Sequence, residues 1–428
     1  MAIDFRFPDF APGLLVPVES QPYLMAGIAI LAIQNYTLTI DNAALAFFRL
    51  AITPLAIHFF WVYGYGPFET PQNQVSVGMV VVALYGFMRV FETAVVSLFD
   101  KDPPRWVKKD GKVMDMPTTV KGRLLYAFDL ATSLRGNSWM GDRHWDFAPR
   151  ALTVNSPTAH MSRQEFLKTE FWSFWRQVLT IDACDTLNKS RRWDMNMTYP
   201  ISSLSIPEQI VFSLSVCLMT LLAITFTYTL ISSSAVALGS SPASWPPMFD
   251  RPFTAMSIAD FWAKRWHAIF RRCFHRISSF FLLPFPQPHS NSSPQYALAR
   301  KALRAFIIFA LSATLHILIM YRLDVDIRGA ANLHPKKTFL DPAILRFFLS
   351  QPLGLAIEAL IVVPLVETMF PDSKERRLLV TRIWAWSFML WAGRYWSDVW
   401  VHRGMWQPEE RVVGYSPVRG LLYAKWAL

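Results

Sequence analysis

The sequence predicts an all-α, polytopic integral membrane protein with about seven to nine transmembrane helices. Three observations carry that reading. Of 428 residues, 53% are hydrophobic and only 17% are charged, against roughly 25% charged in an ordinary soluble chain. The mean hydropathy is +0.24, and the apolar residues gather into runs of about 20, the length a helix needs to cross a hydrocarbon core while satisfying its own backbone. The three cysteines, Cys184, Cys217 and Cys273, are scattered and odd in number, which leaves neither a disulfide framework nor a C-x-x-C metal site. A disordered tail, a disulfide scaffold and a two-layer cytosolic enzyme are thereby excluded.

The opening residues carry Asp4 and no basic run, which argues against a cleaved signal peptide. Membrane entry then falls to the first spans. Pro22–Ile40 and Ala43–Tyr65 follow each other closely, the second containing Arg49, Pro54 and His58. Val75–Phe99 is the third, interrupted by Arg89 and Glu92, whose i, i+3 spacing suits an intrahelical ion pair. A polar region runs from Asp100 to Pro207. Within it Glu170–Leu187 is aromatic but crossed by Arg176, Asp182 and Asp185, and reads as an interfacial helix or a poor span. Glu208–Leu238, Arg300–Tyr321, Phe347–Phe370 and Leu378–Trp400 complete seven spans, the last rich in Trp as interface helices are. Both Asp100–Pro207 and Ser241–Pro294 are rich in Lys and Arg, yet a single span between them would place them on opposite sides. A membrane-entering helix at Glu170–Leu187 would reconcile them.

The net charge of +11 suits anionic partners, and because the basic residues flank apolar stretches, lipid headgroups and phosphorylated co-substrates fit better than nucleic acid. No Walker loop, dinucleotide glycine fingerprint or H-E-x-x-H motif is present, so nucleotide hydrolysis and metalloprotease chemistry have no support. The most informative stretch runs from Ser257 to Arg272. Ser257 and Asp260 have capping-box spacing, which predicts a helix start. On that helix Phe261, Trp262, Trp266, Ile269, Phe270 and Cys273 share one face, while Lys264, His267, Arg271 and His275 line another. Such a cationic amphipathic helix either anchors at lipid headgroups or binds the phosphates of an anionic ligand. A second feature is His316, deep within an apolar span four residues after Ser312. An ionisable group there is costly and faces a cavity or another polar group. It is either a general base or a structural histidine bonded to Ser312 or a neighbouring helix.

Trp245-Pro-Pro-Met-Phe249, followed by Ser257 through His267, resembles a signature of wax-synthase-like members of the membrane-bound O-acyltransferase family. Arg135-Gly136-Asn-Ser-Trp139 is similar to an Arg-Gly-x-x-Trp element of its fungal branch, and His316 falls where that family places its catalytic histidine. The chain departs from the pattern at Ala263, where glycine is common, and at Ile317, where the family carries an acid after the histidine.

The resemblance implies one membrane-embedded acyltransferase domain over 1–428, with a polar loop at 100–207 and a core at about 240–370, housed in the endoplasmic reticulum. It implies transfer of an acyl group from acyl-CoA to a lipophilic alcohol, with no metal or redox cofactor. His316 would act as general base, and His267 would hold the acceptor or the oxyanion. Lys264, Arg265, Arg271 and Arg272 would take the CoA phosphates, and Trp262, Trp266 and Ser312 would contact substrate. Fungal relatives of this size point to acetylation of a terpenoid or meroterpenoid alcohol in secondary metabolism. A long-chain wax-ester synthase and a polytopic transporter are the alternatives. The enzymatic reading requires His316 to face a cavity that His267 also borders.

Overall fold

The computed structural model describes residues 16–68, 73–194, 196–288, 293–328, 339–406 and 415–426. The segment containing Asp4 lies outside them. In chain order the elements are α1 (Gln21–Thr37), α2 (Ala43–Tyr65), α3 (Asn73–Ala94), β1 (Trp106–Lys108), α4 (Val120–Thr132), β2 (Arg143–Trp145), α5 (Arg163–Asn188) and α6 (Ile206–Ala237). There follow α7 (Arg271–Phe281), α8 (Pro294–Arg328), α9 (Pro342–Ile357), α10 (Val363–Met369), α11 (Lys374–Val401) and α12 (Pro417–Tyr423). The fold is mostly, not wholly, α-helical: β1 and β2 form an antiparallel pair with Trp106 opposite Trp145.

Among the described residues five helical stretches are long and apolar enough to cross a membrane: Ala43–Tyr65, Val75–Phe99, Ile206–Ala237, Pro294–Asp326 and Pro342–Met369. All five coincide with expected spans, and the protein is multi-pass. Of the expected seven to nine, these five are the ones that length and hydropathy mark among the described residues. The helix within Pro22–Ile40 ends at Thr37 and is 17 residues long. Leu378–Trp400 lies within α11, where Arg382, Arg394 and Asp398 dilute the apolar run. Two of these charges are answered by neighbours. Asp398 accepts from the Ile201 and Ser202 amides at 2.7 and 3.2 Å, and Arg394 donates to Gln209 at 3.0 Å.

The polar region is more ordered than a loop. Besides α4 and the hairpin it holds α5, which is 26 residues long and opened by a Ser162/Glu165 capping box. It packs along α6. Phe171, Trp172, Trp175 and Leu179 are exposed while Gln177, Asp182 and Asp185 are buried. Phe166 is buried as well, and Lys168 and Arg176 are exposed, so each side of the helix mixes polar and apolar residues.

The largest apolar core joins α3, α8, α9 and α11 through residues such as Leu84, Phe309, Ile344 and Phe388. Charged side chains in this core are paired, as burial demands. Arg403 bridges Asp324 at 3.0 Å and Asp341 at 2.8 Å. The Arg89–Glu92 pair expected from spacing forms, and Glu92 also receives Arg272 from α7 at 2.6 Å.

Candidate active site

One wall of the site is built by a loop-on-loop clamp. Arg135, in the turn after α4, donates to the carbonyl oxygens of Pro246 and Pro247 and to the Tyr228 hydroxyl, each at 2.7 Å. Tyr228 donates to the Pro246 carbonyl as well, at 2.7 Å. Trp139 meets Trp245 edge-on with ring centroids 5.1 Å apart. Gly136 sits at φ 90°, and a Cβ there would fall 2.6 Å from that of Ala148, so the turn presenting Arg135 needs glycine. Prolines donate no amide, and their free carbonyls suit a guanidinium with its fork of donors. The Arg-Gly-x-x-Trp and Trp-Pro-Pro-Met-Phe elements are thus one construction, which sets Pro247, Met248 and Phe249 against a cavity.

The second wall is the stretch from Ser257 to Arg272, and it is not the continuous amphipathic helix expected. Ser257 Oγ accepts from the Asp260 amide at 2.9 Å, but the Asp260 carboxylate accepts from Met256 and Arg265 instead of closing the box. After one turn the chain passes into a π-helical turn, Phe261–Arg265, and leaves it in an extended conformation at Trp266. Tertiary contacts overrule the local pattern here. The buried Glu358 carboxylate, at the junction of α9 and α10, accepts from the Ile258 and Ala259 amides at 2.7 and 3.2 Å. Gln351 accepts from Trp262 Nε1 at 3.0 Å, and Arg271 covers the free Ala263 carbonyl at 2.9 Å. Because of the break, side chains from both faces of the expected helix line the same cavity: Phe261, Trp262, Trp266 and Phe270 from one, Lys264, His267, Arg271 and His275 from the other.

The third wall is α8 with its partners α9 and α11. His316 Nδ1 lies 2.7 Å from the Ser312 carbonyl oxygen. A carbonyl can only accept, so Nδ1 carries the proton and Nε2 keeps its lone pair. Phe348 stacks on the imidazole at 4.5 Å and Trp396 meets it edge-on at 5.0 Å, which fixes the ring plane. The three walls line a cavity of about 1220 Å³ bordered by both His316 and His267. The His267 ring touches Phe249, Trp266 and Phe270. Its Nδ1 is buried without a hydrogen-bond partner. Burial, reinforced by His316 and Arg135, pushes the His267 imidazole down to about 3, so it is neutral at physiological pH.

Of the residues singled out by sequence, His316, His267, Lys264, Arg271, Trp262, Trp266 and Ser312 line this cavity. Arg265 and Arg272 do not. Arg265 pairs with Asp260 at 2.6 Å and donates to Thr254 at 2.7 Å. Arg272 is held by Glu92 and lies 3.7 Å above the Phe147 ring. Sequence reasoning missed Arg251, Phe348, Trp396 and Gly393, which also border the cavity. Arg251 adopts φ 44°, uncommon for a side-chain-bearing residue, and nothing in the sequence marks it. Phe348 and Trp396 look like any aromatic on an apolar span. Among the described residues no three His, Cys, Asp or Glu side chains are grouped to hold a metal ion.

A family model described as "Membrane bound O-acyl transferase family" matches residues 245–338. That is the stretch holding the clamped prolines, the broken helix and His316. The chain is 32% identical over 169 residues to "Acetyltransferase ataH" of Aspergillus terreus, covering 38% of this chain and 48% of the relative. It is 25% identical over 140 residues to "Acetyltransferase spyB" of Aspergillus fumigatus, covering 32% and 20%, and 32% identical over 137 residues to "Acetyltransferase TRI7" of Fusarium sporotrichioides, covering 32% and 28%. The matched segments span about half of the first relative and less of the other two. No solved structure matches.

Proposed function

We propose that this protein is a membrane-bound O-acyltransferase that moves an acetyl group from acetyl-CoA to a hydroxyl of a lipophilic alcohol. One observation supports it above the others: His316, its acceptor nitrogen fixed by the Ser312 carbonyl, shares a cavity with His267. In this reading His316 Nε2 takes the proton of the acceptor hydroxyl while that oxygen bonds to the thioester carbonyl carbon. The carbon–sulfur bond then breaks, and the CoA thiolate recovers the proton from His316. His267, neutral and unpaired at Nδ1, holds the acceptor hydroxyl or the developing oxyanion. Lys264 and Arg271, with Arg251, supply positive charge for the CoA phosphates. Trp262, Trp266 and Ser312 border the substrates.

The three relatives named acetyltransferases favour acetyl over long-chain donors. The resemblance to the fungal branch favours a terpenoid or meroterpenoid acceptor from secondary metabolism. The chain acts as one membrane-embedded domain in the endoplasmic reticulum. α1 and α11, packed beside the five spans, bring the membrane-crossing helices to seven, and α5 adds an eighth.

Purified protein in vesicles, given radiolabelled acetyl-CoA or, in parallel, palmitoyl-CoA, and a panel of terpenoid, sterol and fatty alcohols, tests this. Free CoA released in step with ester supports the proposal. Uptake of alcohol without ester would point to a transporter, and ester formed only with long-chain acyl-CoA would point to a wax-ester synthase.

A further inference from the structure

α11 carries a glycine in its interior, Gly393, where helix propensity disfavours it by about 1 kcal/mol relative to alanine. Most other helical glycines have a packing reason, the exposed Gly78 apart. A Cβ on Gly354 would come within 2.5 Å of the Phe388 ring, and one on Gly64 within 2.6 Å of Ala83. Gly393 has none. A Cβ there would meet no atom within 4 Å, and its φ is not in the left-handed range. It does border the cavity, so what its missing side chain leaves open is cavity space.

That space is close to the chemistry. Gly393 precedes Trp396 by three residues, about 5 Å along the helix, and Trp396 packs against His316 at 5.0 Å. The wall around it comes from Met389 and Leu390 on the same helix and from Cys217, Thr220 and Ile224 on α6. The two helices meet here, with Trp396 Nε1 donating to Thr220 at 3.4 Å. None of these side chains is charged. The cavity's cations, Arg251, Lys264 and Arg271, all come from the 251–271 stretch. A phosphate-bearing donor and a lipophilic acceptor would therefore be sorted to different walls.

We infer that Gly393 is the size-determining position of the acceptor site: its absent side chain holds open the volume that receives the bulky skeleton of a polycyclic alcohol whose hydroxyl reaches His316. This rests on the acyl-transfer reading. A side chain introduced at 393 narrows the site for ring-fused alcohols, spares slender linear ones, and leaves the CoA side untouched.

The test compares wild type with Gly393→Ala, Gly393→Phe and, as a control, Gly78→Phe. Gly78 is also a helical glycine with open space around it, but it is exposed and off the cavity. Two readouts are taken: esterification of ergosterol against 1-hexadecanol, and binding of dehydroergosterol by energy transfer from the cavity tryptophans. Gly393→Phe is expected to lower the ergosterol-to-hexadecanol ratio of kcat/KM by about tenfold or more, with the KM for acetyl-CoA unchanged and sterol binding lost. Gly393→Ala falls between, and Gly78→Phe behaves as wild type. An unchanged ratio with unchanged sterol binding in Gly393→Phe, an equal loss in Gly78→Phe, or a wild type that binds no sterol overturns the inference. A wild type that binds sterol yet makes no ester sinks acyl transfer itself, and the binding data still decide whether position 393 limits what enters.

Discussion

A side-chain hydrogen bond within one helix joins His316 to Ser312, Nδ1 to carbonyl oxygen at 2.7 Å. A bond to Ser312 is the structural alternative that the sequence leaves open for this histidine, yet it does not compete with the catalytic one. It occupies Nδ1 and leaves Nε2 with its lone pair, on a side chain that borders the cavity. The missing acid after His316 is therefore no obstacle to fixing the tautomer, since a backbone carbonyl does that work.

Replacing His316 by Ala is expected to reduce acetyl transfer by about 10²- to 10⁴-fold, the usual contribution of a positioned base, with the thermal transition of the solubilised protein preserved. Trp396→Ala should lower kcat more than it raises either KM, because it frees the imidazole plane. CoA release followed by thiol titration measures both. Near-wild-type turnover in His316→Ala would remove the general base from the scheme.

The four cations proposed from sequence should divide into two classes. Lys264→Ala and Arg271→Ala are expected to raise the KM for acetyl-CoA by about tenfold, equivalent to one charge-assisted contact of about 1.4 kcal/mol. Arg272→Ala leaves the buried Glu92 with one partner fewer and should cost about 3 kcal/mol of stability. Arg265→Ala should loosen the π-helical turn through loss of Asp260. Steady-state kinetics and denaturant melts on the four variants separate the classes. A KM effect confined to Arg265 and Arg272 would reverse the assignment.

Arg135 stands behind the cavity wall and holds the Pro246–Pro247 segment in place through three hydrogen bonds, one of them to Tyr228. Hydrogen bonds from a charged donor contribute about 1.5–3 kcal/mol each. Arg135→Met is accordingly expected to be destabilised by about 3 kcal/mol or more and to lose kcat. Arg135→Lys keeps the charge but not the fork, and should recover little of either. Full activity in Arg135→Lys would show that charge alone matters there.

Burial depresses His267 from 6.5 to about 3, and the sign of the stability effect follows. The unfolded chain takes up a proton below pH 6.5 that the folded protein refuses, so stability is present above that pH and falls as pH drops toward 3. A full proton corresponds to about 1.4 kcal/mol per pH unit. His267→Asn should flatten the decline in melting temperature between pH 7.5 and 5. Parallel profiles for the two proteins would mean that His267 is not buried neutral.

How much is legible in the sequence depends on how local the signal is. The spans at Ala43–Tyr65, Val75–Phe99 and Pro342–Met369 can be read from hydropathy because lipid acts on each residue separately. His316 and the Arg89–Glu92 pair can be read because each concerns one helix. The helix expected from Ser257 fails because Glu358 and Gln351, about a hundred residues downstream, hold its first turn and the chain breaks at Trp266. Arg265 and Arg272 leave the expected phosphate site for the same reason: a cationic stripe does not say which guanidinium a distant acid has already taken.

The amino-acid sequence by itself determined that this chain lives in a membrane, that its spans carry a histidine where apolar residues belong, and that cations and aromatics crowd the stretch after Trp245. Only the tertiary structure decided that His316 and His267 border one cavity, which arginines line it, and that Gly393 leaves room beside them. Hydrophobicity and helical period act residue by residue along the chain. A cavity is the space left between elements, and it exists only once Arg135 has drawn two prolines inward and Glu358 has bent a helix around it.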